Sequence, residues 1–216
     1  MEISNCVNKN VAIEKINATQ PKLNAVVTMV DEANNTKEGI LSGVPVALKD
    51  IISTCGIRTT ASSRILDNYV PVYDATIVKK SREAGADFVC KASMDELGMG
   101  GTNKNAYTGA VHNPYDLDRI PGGSSGGCAA LVAAGCVPLA IGTDTGDSVR
   151  KPAAYCGVVG VKPTYGRISR YGIIPYASSL DHVGYFTTNV KDAALALEVL
   201  ACRDDHDMTS SYEAVK

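Results

Sequence analysis

The sequence has no tryptophan, two phenylalanines and three histidines in 216 residues. Without tryptophan and with only two phenylalanines, the chain offers nucleic-acid bases few rings to stack on. The formal net charge of −2 gives no overall electrostatic attraction to nucleic acid either. These shortages argue against a protein that itself binds DNA or RNA, and we expect no DNA partner.

Long hydrophobic runs are also missing, and none approaches the roughly 20 residues that cross a bilayer. The first ten residues, MEISNCVNKN, lack the charged-then-apolar order of a secretory signal. We therefore expect no membrane partner. The predicted location is the cytoplasm, or an organellar stroma or matrix if the source is eukaryotic.

The cysteines form no recognisable framework, because their number is odd and no pair has C-x-x-C spacing. A disulfide scaffold or a zinc site is therefore unexpected, and no metal ligand is predicted. No histidine lies in a motif with a cysteine, as a catalytic thiol would require. The seven cysteines are Cys6, Cys55, Cys90, Cys128, Cys136, Cys156 and Cys202. Most of them are predicted to be small buried apolar residues.

The length suits one well-packed domain, and we take residues 1–216 as a single unit. Hydrophobic periodicity predicts helices over 10–37, 75–84, 128–134 and 191–201, and buried strands over 43–48, 87–90 and 139–142. Helices and strands alternate along the chain. That order predicts an α/β fold with a largely parallel sheet.

The run PGGSSGG at residues 121–127 allows tight turns and a close approach to a ligand. A flexible linker is the plain alternative, but the run leads directly into a helix of small apolar residues. It lacks the lysine of a phosphate-binding loop. Gly122 to Gly126 also matches the G-x-S-x-G nucleophile elbow. That match is interpreted as accidental, because a polar, proline-broken loop stands where an elbow requires a strand.

A second loop, GTDTGDSVRKP at residues 142–152, follows a predicted strand and ends where a helix begins. A serine beside free backbone N–H groups at a helix start suits a nucleophile next to an oxyanion hole. Ser148 is that serine. The alternative is that Ser148 is only the N-cap of the helix.

A serine nucleophile needs a base, and no histidine stands in a convincing motif. A lysine can act as the base if burial lowers its pKa. Lys49 ends the apolar strand 43–48 and meets that requirement. Its plain alternative is a surface lysine at the end of a strand.

Taken together, GVPVALKD, PGGSSGG, GTDTGDSVRKPAAYCGVVGVKPTYGR and SSLD resemble the amidase-signature family. The resemblance implies a mixed, largely parallel sheet with helices on both faces. It also implies a Ser–cis-Ser–Lys triad in which Lys49 is the base, Ser124 the bridging cis-serine and Ser148 the nucleophile. The implied oxyanion donors are the backbone groups of Thr145, Gly146, Asp147 and Ser148, and the implied substrate-binding residues are Gly122, Gly123 and Ser125.

Within the family, the segments at 94–109, 112–116 and 163–184 are most similar to the A subunits of glutamyl-tRNA(Gln)/aspartyl-tRNA(Asn) amidotransferases. This likeness implies a glutaminase that passes ammonia to a B subunit, with a small C subunit completing a heterotrimer. ATP and Mg²⁺ would be used by the partner subunit on mischarged tRNA. No cofactor is expected in this chain.

Three residues depart from the family pattern. Asp147 replaces a glycine before the nucleophile, Lys151 replaces a glutamine and Cys128 replaces a serine. An aspartate is strained if its position needs a positive φ, and its charge would oppose a developing oxyanion. Loss of one oxyanion donor costs about 2.7–4 kcal/mol. We therefore expect Asp147 to weaken or abolish glutamine hydrolysis.

Family A subunits are about twice as long as this chain, so the resemblance implies the N-terminal part of the fold. The residues that clamp the substrate's α-amino and carboxylate groups are expected in the other half. A free-standing amidase and a degenerate scaffold that binds partner subunits remain as alternatives. An α/β-hydrolase is the least favoured, because it needs a histidine partner.

Overall fold

The computed structural model describes residues 3–4 and 7–213; Cys6 lies outside that range. The helices are α1 (Lys9–Leu23), α2 (Thr76–Glu83), α3 (Gly126–Ala133), α4 (Arg150–Tyr155) and α5 (Val190–Leu200). The strands are β1 (Val26–Met29), β2 (Pro45–Lys49), β3 (Asp87–Ala92), β4 (Leu139–Asp144), β5 (Val159–Val161) and β6 (His182–Thr187). Two short 3₁₀ turns lie at Arg64–Leu66 and Glu96–Gly98.

The strands form a six-stranded sheet in the order β1-β3-β2-β4-β6-β5. The three central strands are parallel, with β2 hydrogen-bonded between β3 and β4. The outer strands β1, β6 and β5 pair antiparallel. The predicted α/β fold with a mixed sheet is therefore confirmed, and its parallel part is the centre.

Helices cover both faces of the sheet, as predicted. Along β2, Val46 and Leu48 belong to one buried apolar cluster, with residues of α2 and α5. Ala47 belongs to the other cluster, with residues of α1, α3 and α4. This alternation follows from the two-residue period of a strand. It also directs Lys49, two residues after Ala47, toward the face that α3 covers.

The predicted helix over 10–37 is wrong beyond Leu23. Asn24 takes a left-handed conformation at the C-cap of α1, with φ 50°. The β-branched residues that follow form β1, which pairs antiparallel with β3. Pro21 lies inside the last turn of α1, so it does not itself end the helix.

Four described cysteines are buried (Cys90, Cys128, Cys136 and Cys156), whereas Cys55 is exposed and Cys202 is half-buried. All six of these thiols are free. Among residues 3–4 and 7–213, no helix is both long and apolar enough to cross a membrane.

Candidate active site

Two parallel neighbours in the sheet, β2 and β4, end at the same edge. β2 ends at Lys49, and β4 ends at Asp144. The Gly/Ser loop before α3 and the loop from 145 to 149 meet at this edge, joined by a hydrogen bond of 3.2 Å from Ser125 N–H to Ser148 O. The carboxyl ends of parallel strands are a common place for binding sites in α/β folds.

Lys49 is completely buried. Its Nζ donates hydrogen bonds to Ser124 Oγ at 2.7 Å and to Thr143 Oγ1 at 2.8 Å. Burial lowers the pKa of Lys49 to about 8, and nearby groups, Cys128 first and then Asp95, partly oppose the shift. A neutral amine is therefore accessible near neutral pH. The alternative of a surface lysine is excluded.

Ser124 is held in an unusual backbone, because the Gly123–Ser124 peptide bond is cis. Its side chain is almost fully buried against Lys49. Gly122, two residues before Ser124, has a φ of 81°, and a Cβ on it would lie 2.9 Å from Pro152 Cα. Only glycine fits that position without strain. The predicted pair of Lys49 and a cis-serine is thus present in the geometry.

Ser125 holds the Gly/Ser loop to β4. Its Oγ donates to Thr143 O at 3.0 Å and accepts from Thr143 N–H at 3.4 Å. The residue is fully buried. Both hydrogen-bonding directions of its hydroxyl are used within the chain, so its side chain braces the loop rather than facing a ligand.

Ser148 has an uncommitted hydroxyl. Across residues 3–4 and 7–213, its Oγ forms no hydrogen bond, although only 5% of the residue is exposed. It is not the N-cap of α4, because Asp144 Oδ2 accepts the N–H groups of Val149 at 2.8 Å and Arg150 at 3.3 Å. The N-cap interpretation is therefore wrong, and the hydroxyl is free to react.

The loop between β4 and Ser148 offers backbone donors. None of the N–H groups from Thr145 to Ser148 donates to another described residue. The Thr145 hydroxyl donates to Asp181 Oδ1 at 2.5 Å, and the side of Gly146 where a Cβ would stand is open. Backbone N–H groups that have no acceptor within the chain can stabilise an oxyanion where they converge on it.

The strain expected at Asp147 does not occur, because Asp147 is not among the described residues with positive φ. Its carboxylate forms an ion pair with Lys151, with Oδ2 2.6 Å from Nζ. Two of the departures from the family pattern therefore meet in space. About half of the Asp147 side chain is exposed, and the pair offsets part of its charge.

The Asp144 carboxylate anchors the same loop. Burial by itself would raise the pKa of Asp144, but hydrogen bonds from the Arg150 guanidinium and from backbone N–H groups outweigh it and lower the pKa. Arg150 Nη2 lies 2.9 Å from Asp144 Oδ1 and also donates to Gly146 O. The carboxylate thus fixes the start of α4.

The histidines do not supply a base. His112 contacts Leu117 O, His182 contacts Leu180 O and His206 contacts Asp204, and none hydrogen-bonds a serine or cysteine side chain in the described residues. In the same part of the chain, no group of three His, Cys, Asp or Glu side chains is placed to hold a metal ion.

The sequence profile of the Amidase family matches residues 10–216. The chain belongs to the amidase family. It is 51% identical, over 223 residues, to a protein of Carboxydothermus hydrogenoformans named as the A subunit of glutamyl-tRNA(Gln) amidotransferase, and the match covers 97% of this chain and 46% of that protein. The amidase-family chain spans about half the length of the curated relatives it matches.

Solved structures of amidase-family proteins have the same fold as this chain. The crystal structure of the glutamyl-tRNA(Gln) amidotransferase A subunit from Thermotoga maritima superposes with a TM-score of 0.93 at 48% identity, covering 96% of this chain and 46% of that one. The native peptide amidase from Stenotrophomonas maltophilia superposes with a TM-score of 0.87 at 34% identity, covering 96% and 47%. The amidase fold predicted from the motifs is therefore shown.

Sequence reasoning missed several polar residues around the site. Thr143 and Asp181 stand in quoted motifs without an assigned role, yet they contact Lys49 and Thr145 respectively. Asp95 has no predicted role either. The sequence feature that could have identified them is a polar residue close to the end of a buried strand. Thr143 lies near the end of β4, Asp95 follows β3, and Asp181 precedes β6.

Proposed function

We propose that this chain cleaves amides through Ser148, with Ser124 relaying a proton to Lys49. One observation carries the proposal: a buried lysine amine lies 2.7 Å from a buried serine hydroxyl, and the neighbouring loop presents the uncommitted Ser148 hydroxyl. Perturbed titratable groups of this kind, placed beside a nucleophile, are typical of active sites.

In the proposed reaction, neutral Lys49 takes the Ser124 proton while Ser124 takes the Ser148 proton. Ser148 Oγ attacks the amide carbon, and N–H groups of residues 145–148 hold the oxyanion. The C–N bond then breaks as the proton returns from Lys49 through Ser124 to the leaving nitrogen. Water hydrolyses the resulting ester, which releases the carboxylate and restores Ser148.

The proposed substrate is the side-chain amide of glutamine, which yields ammonia and glutamate. Similarity to the amidotransferase A subunits supports this choice. We further propose that B and C subunits form a heterotrimer with this chain. The B subunit would use ATP and Mg²⁺ to transfer the ammonia to mischarged Glu-tRNA(Gln).

We also propose that residues 1–216 form one structural unit, the N-terminal part of an amidase-signature domain. The family profile over 10–216 and the single six-stranded sheet support this. Residues that clamp the α-amino and carboxylate groups of glutamine would then lie outside this unit.

Ammonia release from glutamine tests the substrate. The purified protein is assayed alone, then with its B and C subunits and Glu-tRNA(Gln). Stimulation by the subunits and tRNA supports the amidotransferase role. Hydrolysis of other amides at equal rates, without stimulation, would instead favour a free-standing amidase, which the likeness to the peptide amidase makes the second candidate.

The rate of Ser148 acylation is expected to rise with pH through about 8. Lys49 must be neutral to accept a proton, and burial lowers its pKa to about 8, so the reactive form is scarce at pH 6 and predominates at pH 9. The measurement is kcat/KM between pH 6 and 10. The rise of kcat/KM with pH is the acid limb of this profile. If kcat/KM does not rise in this range, Lys49 is not the base.

The Asp147–Lys151 pair is expected to tune the rate. Asp147→Gly should raise acylation by about tenfold or less, because it removes a partly screened charge beside the oxyanion. Lys151→Gln should lower it about tenfold, because it leaves that charge unpaired.

The double variant separates pairing from independent effects. In the Asp147→Gly background, Lys151→Gln should change little, since no carboxylate remains to be neutralised. Additive effects of the two substitutions contradict the coupling. Equal rates for Asp147→Gly and the natural chain contradict any cost of Asp147.

A further inference from the structure

Asp95 has no part in the proposed reaction, yet it contacts Ser124, which does. It follows β3 in the sequence block MDELGMGG and is completely buried. Its backbone N–H donates to Ser124 O at 3.2 Å. Asp95 therefore contacts the backbone of the cis-serine, whose side chain contacts Lys49.

The Asp95 carboxylate also sets the position of Gly123. A Cβ built on Gly123 would lie 2.0 Å from Asp95 Oδ2, so the glycine backbone packs directly on the carboxylate. The same Oδ2 accepts the N–H groups of Thr102 at 3.2 Å and Asn103 at 2.9 Å. The Thr102 and Asn103 N–H groups thus fix the Asp95 carboxylate, and the carboxylate packs against Gly123.

The charge of Asp95 is unusual among the groups around Lys49. Its Oδ1 is buried and has no hydrogen-bond partner, and no cationic group within the described ranges forms an ion pair with it. The other groups that act electrostatically on Lys49 are Cys128 on α3, Asp144 at the end of β4 and Asp181 before β6. Asp144 is compensated by Arg150, and Asp181 accepts Thr145 and two backbone N–H groups.

We propose that Asp95 is a positioning residue for the Lys49–Ser124 pair, holding the Gly123–Ser124 backbone and supplying a negative charge, without an ion-pair partner in the described residues, that acts on the Lys49 ammonium. The proposal rests on the proposed function, because it assigns Asp95 a task only if Lys49 and Ser124 move the Ser148 proton.

The two tasks of Asp95 leave different signatures. Asp95→Asn keeps the shape but removes the charge, so the protonated form of Lys49 loses support and its pKa falls. The acid limb of the rate should move to lower pH by about half a unit or more. Asp95→Glu keeps the charge but crowds Gly123, so it should lower the plateau rate and leave the limb in place.

The probe is phenylmethylsulfonyl fluoride, which labels an activated serine without requiring glutamine. The Ser148 Oγ–S bond forms, the S–F bond breaks and fluoride leaves, while the serine proton passes to Lys49. The labelling rate of the full chain is followed by intact mass between pH 6 and 10, with Ser148→Ala as the unlabelled control. Thermal melting checks that each variant folds, and Asp95→Ser serves as a second neutral variant.

A limb at lower pH in a folded neutral variant, and an unmoved limb in Asp95→Glu, support the proposal. An unchanged limb in both neutral variants overturns it, since a merely structural residue lowers the plateau alone. Failure of both neutral variants to fold while Asp95→Glu folds with a shifted limb overturns it too. If Ser148 of the natural chain is not labelled at any pH, the proposed function itself fails and this inference falls with it.

Discussion

Replacing Lys49 with methionine is expected to slow amide hydrolysis by roughly a hundred- to ten-thousand-fold, the usual contribution of a positioned base. Methionine fills similar space but cannot accept a proton. The Lys49 amine contacts Ser124 Oγ at 2.7 Å, and no other amine takes that place in the described part of the chain. Ser148 would keep its position and lose its route for the proton.

Lys91 provides a matched control. It is also completely buried, and burial lowers its pKa to about 8 as well, with Asp50 partly opposing the shift. It pairs with Leu48 in the sheet register, so it leaves the sheet on the face opposite Lys49. There it donates to Ile52 O, to Thr54 Oγ1 at 3.0 Å and to Thr59 Oγ1 at 2.8 Å.

The two variants separate chemistry from stability. Each substitution removes one buried ammonium and leaves buried acceptors unpaired, at a cost of about 1–3 kcal/mol in the free energy of unfolding. Only Lys49→Met should abolish labelling of Ser148 by phenylmethylsulfonyl fluoride, while Lys91→Met should keep its plateau rate. Equal losses in both folded variants would show that Lys49 acts through the fold rather than as a base.

The comparison of Lys49 and Lys91 also shows what a sequence can reveal. Lys49 ends a short apolar strand, which predicts a buried lysine with a lowered pKa; the structure shows both, and the role of base stays a prediction. Lys91 follows the strand predicted at 87–90 and stands in no recognisable motif, although its environment is equally dry. Burial alone therefore does not mark a lysine as a candidate base. The hydrogen bond to Ser124 distinguishes Lys49 from Lys91, and only the fold brings Lys49 and Ser124 together.

The strands that the sequence analysis misses, β1, β5 and β6, are those with only antiparallel partners. β6 is buried at nearly every position, and β5 is three residues long, so neither has the two-residue alternation that marks a half-buried strand. β1 is absorbed into a predicted helix because its apolar residues continue the helical spacing past Asn24. The short parallel strands 43–48, 87–90 and 139–142 are found because each is a compact apolar run.

Some features of the candidate site can be predicted from the sequence, and others cannot. The Gly/Ser loop and the loop before α4 are recognisable from residue types and their order. The bracing role of Ser125, the cap that Asp144 provides and the Asp147–Lys151 pair depend on side-chain directions that no spacing specifies. The condition for strain at Asp147 is not met, because the loop turns without a positive φ at this residue.

Replacing Ser148 with alanine is expected to reduce amide hydrolysis by roughly 10³- to 10⁶-fold, because removal of a nucleophile disables the catalytic group as a unit. The fold should not suffer. The Ser148 hydroxyl has no hydrogen-bond partner among residues 3–4 and 7–213, so alanine leaves no buried group unpaired. The melting temperature should therefore stay close to that of the natural chain.

Ser125→Ala is the matched control, because it removes a hydroxyl from the neighbouring loop with the opposite consequences. Thr143 loses both of its contacts with that hydroxyl, at 3.0 and 3.4 Å, so the free energy of unfolding should fall by about 1–3 kcal/mol. Labelling by phenylmethylsulfonyl fluoride should persist at Ser148, at a reduced rate. If Ser148→Ala still forms an adduct at the site while Ser125→Ala does not, the nucleophile is Ser125, and Ser148 is the bracing residue.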